Sequence, residues 1–424
     1  MTQEERIISY HTVTLGAMTR EGNTLAEIID DDIASSTPGT RTLQVPAGLP
    51  GERVTIAVEE LAPPPAGKRK RRWKPCPPRV WISEIHETSP LRVSAPCPVF
   101  GTCGGCQLQH MRYSAQLEWK RSIVCDLLRD IGGFDDPPVL EPVPCDDPWH
   151  YRNHMRFSVN RQGQAGLTAR GTHRVLPLSA CPIAHQYINR ALEVLCTQPN
   201  PRPQVLIRCG TATNQVLLQP APTPEIAQRL REAGLEVRTE TMEEVLAGET
   251  FRIRPSSFFQ TNTRQAEKMV QMVLDGLIDH AITVIDAYCG VGTFALLLAK
   301  HFDQVIAIEE SASAIKDARE NLRDVHNVEI RKGKVEDLLP DLASQVQGLV
   351  IDPPRAGCQP VVLEALIRHP VARMVYVSCD PATLARDLGI LCHTHPAYRL
   401  RSVQPLDMFP QTAHIECVAV LECL

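Results

Sequence analysis

Long apolar runs are missing from this 424-residue chain. None approaches the ~20 residues a helix needs to cross a bilayer, so no membrane role is expected. The opening stretch MTQEERIISY carries charges but no apolar h-region, which gives no sign of export. A positive charge balance is missing as well: the formal net charge is -5. Binding of nucleic acid by bulk charge is thereby excluded, and any such contact must use local basic patches. With no secretory signal, the 15 cysteines do not read as a disulfide framework, because a reducing cytosol keeps thiols free or metal-bound. The expected location is the cytoplasm. Most of these thiols, including Cys125, Cys145, Cys196, Cys209, Cys392, Cys417 and Cys423, stand alone and read as small buried apolar residues. What remains is ordinary globular composition, 43% hydrophobic and 22% charged. The length sets an expectation of about two or three domains.

Residues 1–62 alternate short β-like runs (TVTLGAM, TLAEIID, RTLQV, ERVTIAVEEL) with turn residues such as Pro46, Gly48, Pro50 and Gly51, the pattern of a small β-barrel. Residues 63–79 form a proline-flanked basic segment, with Lys68 to Lys74 enclosing Trp73. It reads equally as a solvated linker or as an arm that pairs RNA phosphates and stacks a base on Trp73. Residues 80–250 mix β-like segments (HMRFSVN, QVLIRCG, NQVLLQP) with the amphipathic PEIAQRLREAGLE, a central α+β region. From 251 to 424 strands and helices alternate: TVIDAYCG then TFALLLAKHF, QVIAIEES then AIKDARENLRD, GLVIDPP, MVYVSCD. That order predicts an α/β domain with a doubly wound, mostly parallel, Rossmann-like sheet.

Three stretches carry chemistry. In TVIDAYCGVGTF an acid ends a strand, and Gly290 and Gly292 let a ligand approach the backbone before a helix whose first N–H groups are free. The next strand ends at Glu309, where an acid can accept both ribose hydroxyls of an adenosine cofactor; Cys289 reads as packing. In YVSCDPATLARD an apolar strand delivers Cys379 to its carboxyl end, the place where open α/β sheets bind ligands. A thiol there is either inert packing or a nucleophile. In CPVFGTCGGC the thiols Cys97, Cys103 and Cys106 share a glycine-rich loop, and Cys181 stands apart in SACPIAH. Such a loop can wrap a metal centre. Zinc, with Cys181 or His110 as fourth ligand, fits the same residues.

The glycine turn lacks the third glycine of dinucleotide sites, Asp352-Pro353-Pro354 ends a strand, and SSFFQTN (256–262) precedes the sheet. Together these resemble class I S-adenosylmethionine (SAM)-dependent methyltransferases, and among them the RNA uracil-5-methyltransferase family. SCDPATLARD is similar to that family's nucleophile motif, and MFPQTAHIECVAVL (408–421) to its base motif. The resemblance implies that Cys379 is the nucleophile and Glu416 the base. It also implies SAM contacts from Gln260, Tyr288, Glu309 and Asp352. A covalent nucleophile is what uracil C5 needs, since addition at C6 turns an unreactive ring into a carbanion equivalent, and a separate base must then remove the C5 proton. Cys97, Cys103, Cys106 and Cys181 resemble the [4Fe–4S] ligands of the rRNA branch, and VPAGLPGERV (45–54) looks like the family's TRAM module, an OB-like RNA-binding barrel.

The resemblance therefore implies an enzyme, a monomer, that methylates uridine C5 in RNA. 23S rRNA is the expected substrate and uridine 54 of tRNA the alternative. An amino-methyltransferase would share DPP but has no use for Cys379, and a non-catalytic iron–sulfur RNA-binding protein would need only the first 250 residues. One position departs from the family: Asp380 stands where asparagine is usual. Its charge disfavours a neighbouring thiolate unless a cation pairs it, and Arg386 is the expected partner.

Overall fold

The computed structural model describes residues 6–30, 39–61, 77–197, 202–277 and 282–424. The basic segment Lys68 to Lys74, with Trp73, lies outside the described residues. The chain divides into two units, Met1–Gln116 with Gln411–Ala413, and Leu117–Pro410 with His414–Leu424.

The first unit is β-rich. Its strands are β1 (Arg6–Thr14), β2 (Asn23–Asp30), β3 (Gly39–Pro46), β4 (Arg53–Leu61) and β5 (Arg79–Glu87). β1 and β5 flank β4 in an antiparallel sheet, and β2 and β3 form a hairpin. Leu15, Ala26, Ile28, Leu43, Val45, Val54, Ile56 and Val58 share one core, so the two ladders enclose a common apolar centre. β5 lies beyond the proline-rich segment in sequence, yet it pairs Ile82 with Ile56. Its even mix of polar and apolar residues hid it from sequence periodicity. Glu52, fully buried, closes the turn before β4. Burial pushes its carboxyl up, and the Arg92 guanidinium with the Leu49 and Ser89 N–H groups more than reverses that.

Helix α1 (Tyr113–Asp130) runs from the first unit into the second. The second unit continues with β6 (His154–Val159), β7 (Ala165–Thr168), β8 (Val175–Pro177), α2 (Gln186–Thr197), β9 (Gln204–Cys209), β10 (Gln215–Gln219), α3 (Pro224–Glu232) and β11 (Glu236–Arg238). These strands form a six-stranded sheet in the order β11-β10-β9-β6-β7-β8, with α2 against it. A hairpin of β12 (Met242–Leu246) and β13 (Glu249–Ile253) leads on to α4 (Thr263–Leu277).

The rest is the doubly wound domain: β14 (Thr283–Ala287), α5 (Thr293–Leu298), β15 (Gln304–Glu309), α6 (Ala312–Asn321), β16 (Val328–Lys332), α7 (Val335–Leu342), β17 (Gly348–Ile351), α8 (Pro360–Arg368), β18 (Arg373–Ser378), α9 (Pro381–Gly389), β19 (Tyr398–Leu406) and β20 (Glu416–Cys423). The strand order is β16-β15-β14-β17-β18-β20-β19; the first five run parallel, and β20 is antiparallel to β18 and β19. The predicted Rossmann-like sheet is therefore present. β17 and β18 are buried along their whole length, as parallel strands covered on both faces must be. Successive residues alternate between two cores. Ile285, Leu349, Ile351, Met374 and Tyr376 enter one, and Val284, Val350, Val375 and Val377 the other. α4 lies close on β18: a Cβ at Gly276 would sit 2.7 Å from Val375 Cγ2, so only glycine fits there.

One buried ion pair ties α1 to the strand-end loop ahead of β20. Lys120 Nζ donates to Asp407 Oδ1 at 2.6 Å and to the Phe409 carbonyl at 3.1 Å, both side chains being out of solvent. Lys120→Ala leaves Asp407 buried without its cation. We expect a loss of about 3–5 kcal/mol of unfolding free energy, read from denaturant melts; a loss under ~1 kcal/mol would show that Asp407 finds another partner or a proton.

Candidate functional site

Parallel pairing delivers the carboxyl ends of β15, β14, β17 and β18 to one edge of the sheet, and antiparallel β20 begins at the same edge. Along that edge stand Glu309 at the end of β15, Tyr288 just past β14, Asp352 just past β17, Cys379 just past β18, and Glu416 opening β20. Ser378 faces Cys417 in the β18–β20 ladder, so Cys379 and Glu416 are the next positions on neighbouring strands. The strand order reverses between β14 and β17, the kind of switch point at which open α/β sheets bind ligands.

The thiol half is crowded with acids. Burial pushes Cys379 up to about 11, with the Glu416 and Asp352 charges adding to it, while the Arg355 guanidinium hydrogen-bonds the sulfur and pulls the other way. Glu416 is 3% exposed; burial, with Asp352 beside it, raises its carboxyl well above the usual range, and Arg355 again opposes. Burial brings Asp352 up to about 7. Arg355, the residue that follows the DPP motif, is the cation that acts on both Cys379 and Glu416. The sequence reading missed it, although its place directly after Asp352-Pro353-Pro354 was the available signal.

Arg355 is held by the helix that follows the thiol. Thr383 Oγ1 donates to the Arg355 carbonyl at 3.1 Å, and Arg386 Nη2 to the Ala356 carbonyl at 2.9 Å. Asp387, fully buried, accepts from the Cys358 N–H, the Tyr376 hydroxyl and the Arg386 guanidinium at 2.7–2.9 Å. Gly357 has φ +77, and a Cβ there would meet Arg386 Nη2 at 2.5 Å, so the loop closes on α9 only through glycine. This corrects the expectation for Arg386: it pairs Asp387, not Asp380. Asp380 instead caps α9, its Oδ1 accepting from the Ala382 and Thr383 N–H groups at 3.0 and 3.3 Å. Its charge meets the positive end of a helix, which asparagine at this place would also cap.

In the cofactor half, Glu309 is oriented by two backbone donors, Gly290 N–H at 3.0 Å and Ser311 N–H at 2.7 Å. Tyr288 holds φ +64, a left-handed conformation rare for a non-glycine residue, and burial first, then Cys358 and Glu336, pushes its phenol up. Asp286 is fully buried in β14, and burial drives it toward the neutral acid, with the Ala295 backbone N–H opposing and the Asp352 and Glu309 charges adding to the rise. Gln260 is nearly buried in the loop before α4, where its carbonyl accepts from Asn153 Nδ2 at 2.9 Å. Ser256 and Ser257 meet Ser313 of α6, which pins that loop on the Glu309 side.

Cys97, Cys103 and Cys106 lie in the first unit and Cys181 in the second. The loop turns tightly, Cys103 N–H donating to Val99 O at 2.8 Å and Gly105 N–H to Cys103 Sγ at 3.4 Å. Burial pushes the Cys103 thiol up, and Cys97 adds to it. His110 is turned to Gly48 O, and burial lowers it to about 4. Among the described residues no three or more His, Cys, Asp or Glu side chains are arranged to hold a metal ion.

The tRNA (uracil-5-)-methyltransferase family model matches residues 224–423. A Gloeobacter violaceus protein, named as an uncharacterized RNA methyltransferase, is 36% identical over 92% of this chain and 93% of its own length. The chain belongs to the tRNA (uracil-5-)-methyltransferase family. Another such RNA methyltransferase, from Halalkalibacterium halodurans, is 32% identical over 94% of this chain and 97% of its own. Among solved structures, the Pyrococcus abyssi tRNA (uracil-54, C5)-methyltransferase in complex with S-adenosyl-L-homocysteine superposes with a TM-score of 0.71 at 25% identity, covering 97% of this chain and 99% of that one.

For this family member the cation beside the thiol gives a direct measurement. A thiol held near 11 is almost all protonated at pH 8, and loss of Arg355 moves it further up. Arg355→Ala should therefore slow iodoacetamide labelling of the Cys379 peptide at pH 8 roughly tenfold, a shift of about one pH unit in its titration. Labelling as fast as in the unaltered protein would mean that Arg355 does not act on the sulfur.

Proposed function

We propose that this enzyme methylates C5 of a uridine in 23S rRNA through a covalent adduct at Cys379. The observation that supports this reading is the adjacency of Cys379 and Glu416 across the β18–β20 ladder, with Arg355 on the sulfur. SAM supplies an electrophilic sulfonium methyl, and Gln260, Tyr288, Glu309 and Asp352 would hold it along the other half of the edge. The Cys379 sulfur adds to C6 of uracil, and the electron pair released from the C5–C6 double bond spreads over C5 and the C4 carbonyl. Once C5 carries the methyl group, Glu416 as carboxylate takes the C5 proton. The electron pair left behind restores the double bond and expels the Cys379 thiolate. Burial suits both groups to these parts: a thiol that is a poor anion when free is nucleophilic when ionised beside Arg355, and a carboxylate raised by burial is a strong base.

Three further assignments complete the reading. Residues 1–62 act as an RNA-binding TRAM module. The enzyme works in the cytoplasm as a monomer, and no helix among the described residues is long and apolar enough to cross a membrane. A [4Fe–4S] cluster on Cys97, Cys103, Cys106 and Cys181 rests on the cysteine spacing and the resemblance, and no step of the reaction runs through it. A second substrate reading, tRNA uridine 54, is favoured by the likeness to the Pyrococcus abyssi enzyme.

Protein purified without oxygen should be brown and contain iron and sulfide in similar amounts. Colourless protein with stoichiometric zinc would reject the cluster.

RNA carrying 5-fluorouridine at the target should trap an adduct stable to denaturation when SAM is present, because fluorine does not leave as the proton does. Cys379→Ala should abolish the adduct. Glu416→Gln should still transfer the methyl group and then stall as a covalent complex on ordinary uridine. With fluorinated 23S rRNA fragments and tRNA offered side by side, the adduct should form on the rRNA; trapping on tRNA alone would replace the substrate. Normal turnover by Cys379→Ala would sink the mechanism.

A further inference from the structure

The six-stranded sheet carries a basic stripe that the reaction does not use. Cys209 of β9 meets the backbone of Ile188 in α2, so alternation turns Arg208 to the opposite face. Across the antiparallel pair, His154 of β6 stands directly opposite Arg208, and Arg156 follows on the same side. Arg152, two residues ahead of β6, extends the row, its Nε donating to the His154 carbonyl.

The Asp317 and Glu244 charges act on Arg208, but neither carboxylate hydrogen-bonds its Nε or Nη1. Arg208 is only 3% exposed, yet its Nε and Nη1 find no acceptor among the described residues, and neither does His154 Nε2. The nearest carboxylates are committed elsewhere. Asp317 accepts from the Arg254 backbone and guanidinium, and Glu244 from Thr211, Val245 and Thr263. Burial holds Arg208 down at about 10. It also holds His154 at about 3, with Arg208, Arg152 and Arg156 adding to the effect. A buried guanidinium with open donors is costly unless an anion completes it. The stripe also leads toward the Cys379–Glu416 edge: His414, two residues before Glu416, is lowered by burial first and then by the Arg355, Lys120 and Arg152 charges.

We propose that this face binds phosphodiester groups of the RNA strand flanking the target uridine, Arg156 and Arg152 from the surface and Arg208 and His154 from beneath. The inference rests on RNA being the substrate. A backbone contact of this kind is blind to sequence and weakens with salt.

The test uses the full chain and an RNA oligonucleotide containing the target uridine, with Kd measured from 50 to 300 mM salt. Arg156→Gln and Arg208→Gln should each weaken binding roughly three- to tenfold at the low end. Each should also flatten the plot of log Kd against log salt by roughly 0.7–0.9 of a unit, equally for scrambled flanking sequences and without change in SAM affinity. An unchanged salt slope in folded Arg156→Gln, which sits at the exposed edge and decides the matter if Arg208→Gln does not fold, would overturn the proposal. Losses confined to one flanking sequence would also overturn it, since they signal base reading. Unaltered protein that shows the salt slope but never methylates the RNA would refute the methyltransferase reading and leave the phosphate face standing.

Discussion

Parallel hydrogen bonding fixes the polarity of every strand it joins, and the rest of this molecule follows from that constraint. Once β15, β14, β17 and β18 run the same way, their last residues must gather on one edge, however far apart they lie in sequence. Glu309 and Cys379 are 70 positions apart and still belong to one row. The antiparallel β20 adds a residue from its first position rather than its last, which is how a segment near the end of the sequence supplies the acid beside the thiol.

That row concentrates acids where water is scarce, and the strain of doing so is met by a single loop. Asp352 and Glu416 both oppose ionisation of Cys379, and Asp352 that of Glu416, while Arg355 works against the repulsion at the thiol. Its side chain is exposed, so its placement depends on the backbone beneath it. Asp387 supplies that rigidity, since a fully buried carboxylate with both oxygens accepting hydrogen bonds has no cheaper arrangement. The same helix therefore begins by capping itself with Asp380 next to Cys379 and, two turns later, anchors the loop whose cation acts on that thiol.

Where the sequence spoke clearly, it did so through periodicity and punctuation. TVIDA, QVIAIE, GLVI and RMVYVS are apolar runs bounded by turns, and all four are strands of the large sheet. α4 is legible in principle, since its buried Ala266, Met269, Val270, Val273, Leu274 and Leu277 recur at helical spacing, though the sequence reading did not include it. β5 and β16 were hidden by charged residues at edge or half-exposed positions, where burial imposes no pattern. The pairing of Arg386 was misjudged for a different reason: on a helix, residue type and distance in sequence do not say which of two nearby acids a guanidinium will meet, and the loop carrying Gly357 decided it. Likewise Asp387 sat in plain view in SCDPATLARD, but its burial and its three donors come from three separate elements.

The reversal of strand order between β14 and β17 divides the row into two halves with separate supports. Glu309 and Tyr288 depend on β14, β15 and the start of α6, whereas Cys379 and Glu416 depend on β18, β20 and α9. Only Asp352 stands at the boundary. Under the proposed roles, such a sheet can keep the half that holds the methyl donor intact while the other half drifts, acquires a different reactive side chain or loses one. It is then a modular chassis, in which the chemistry of the acceptor can be rewritten from the β18–β20 side without relearning how to grip the donor.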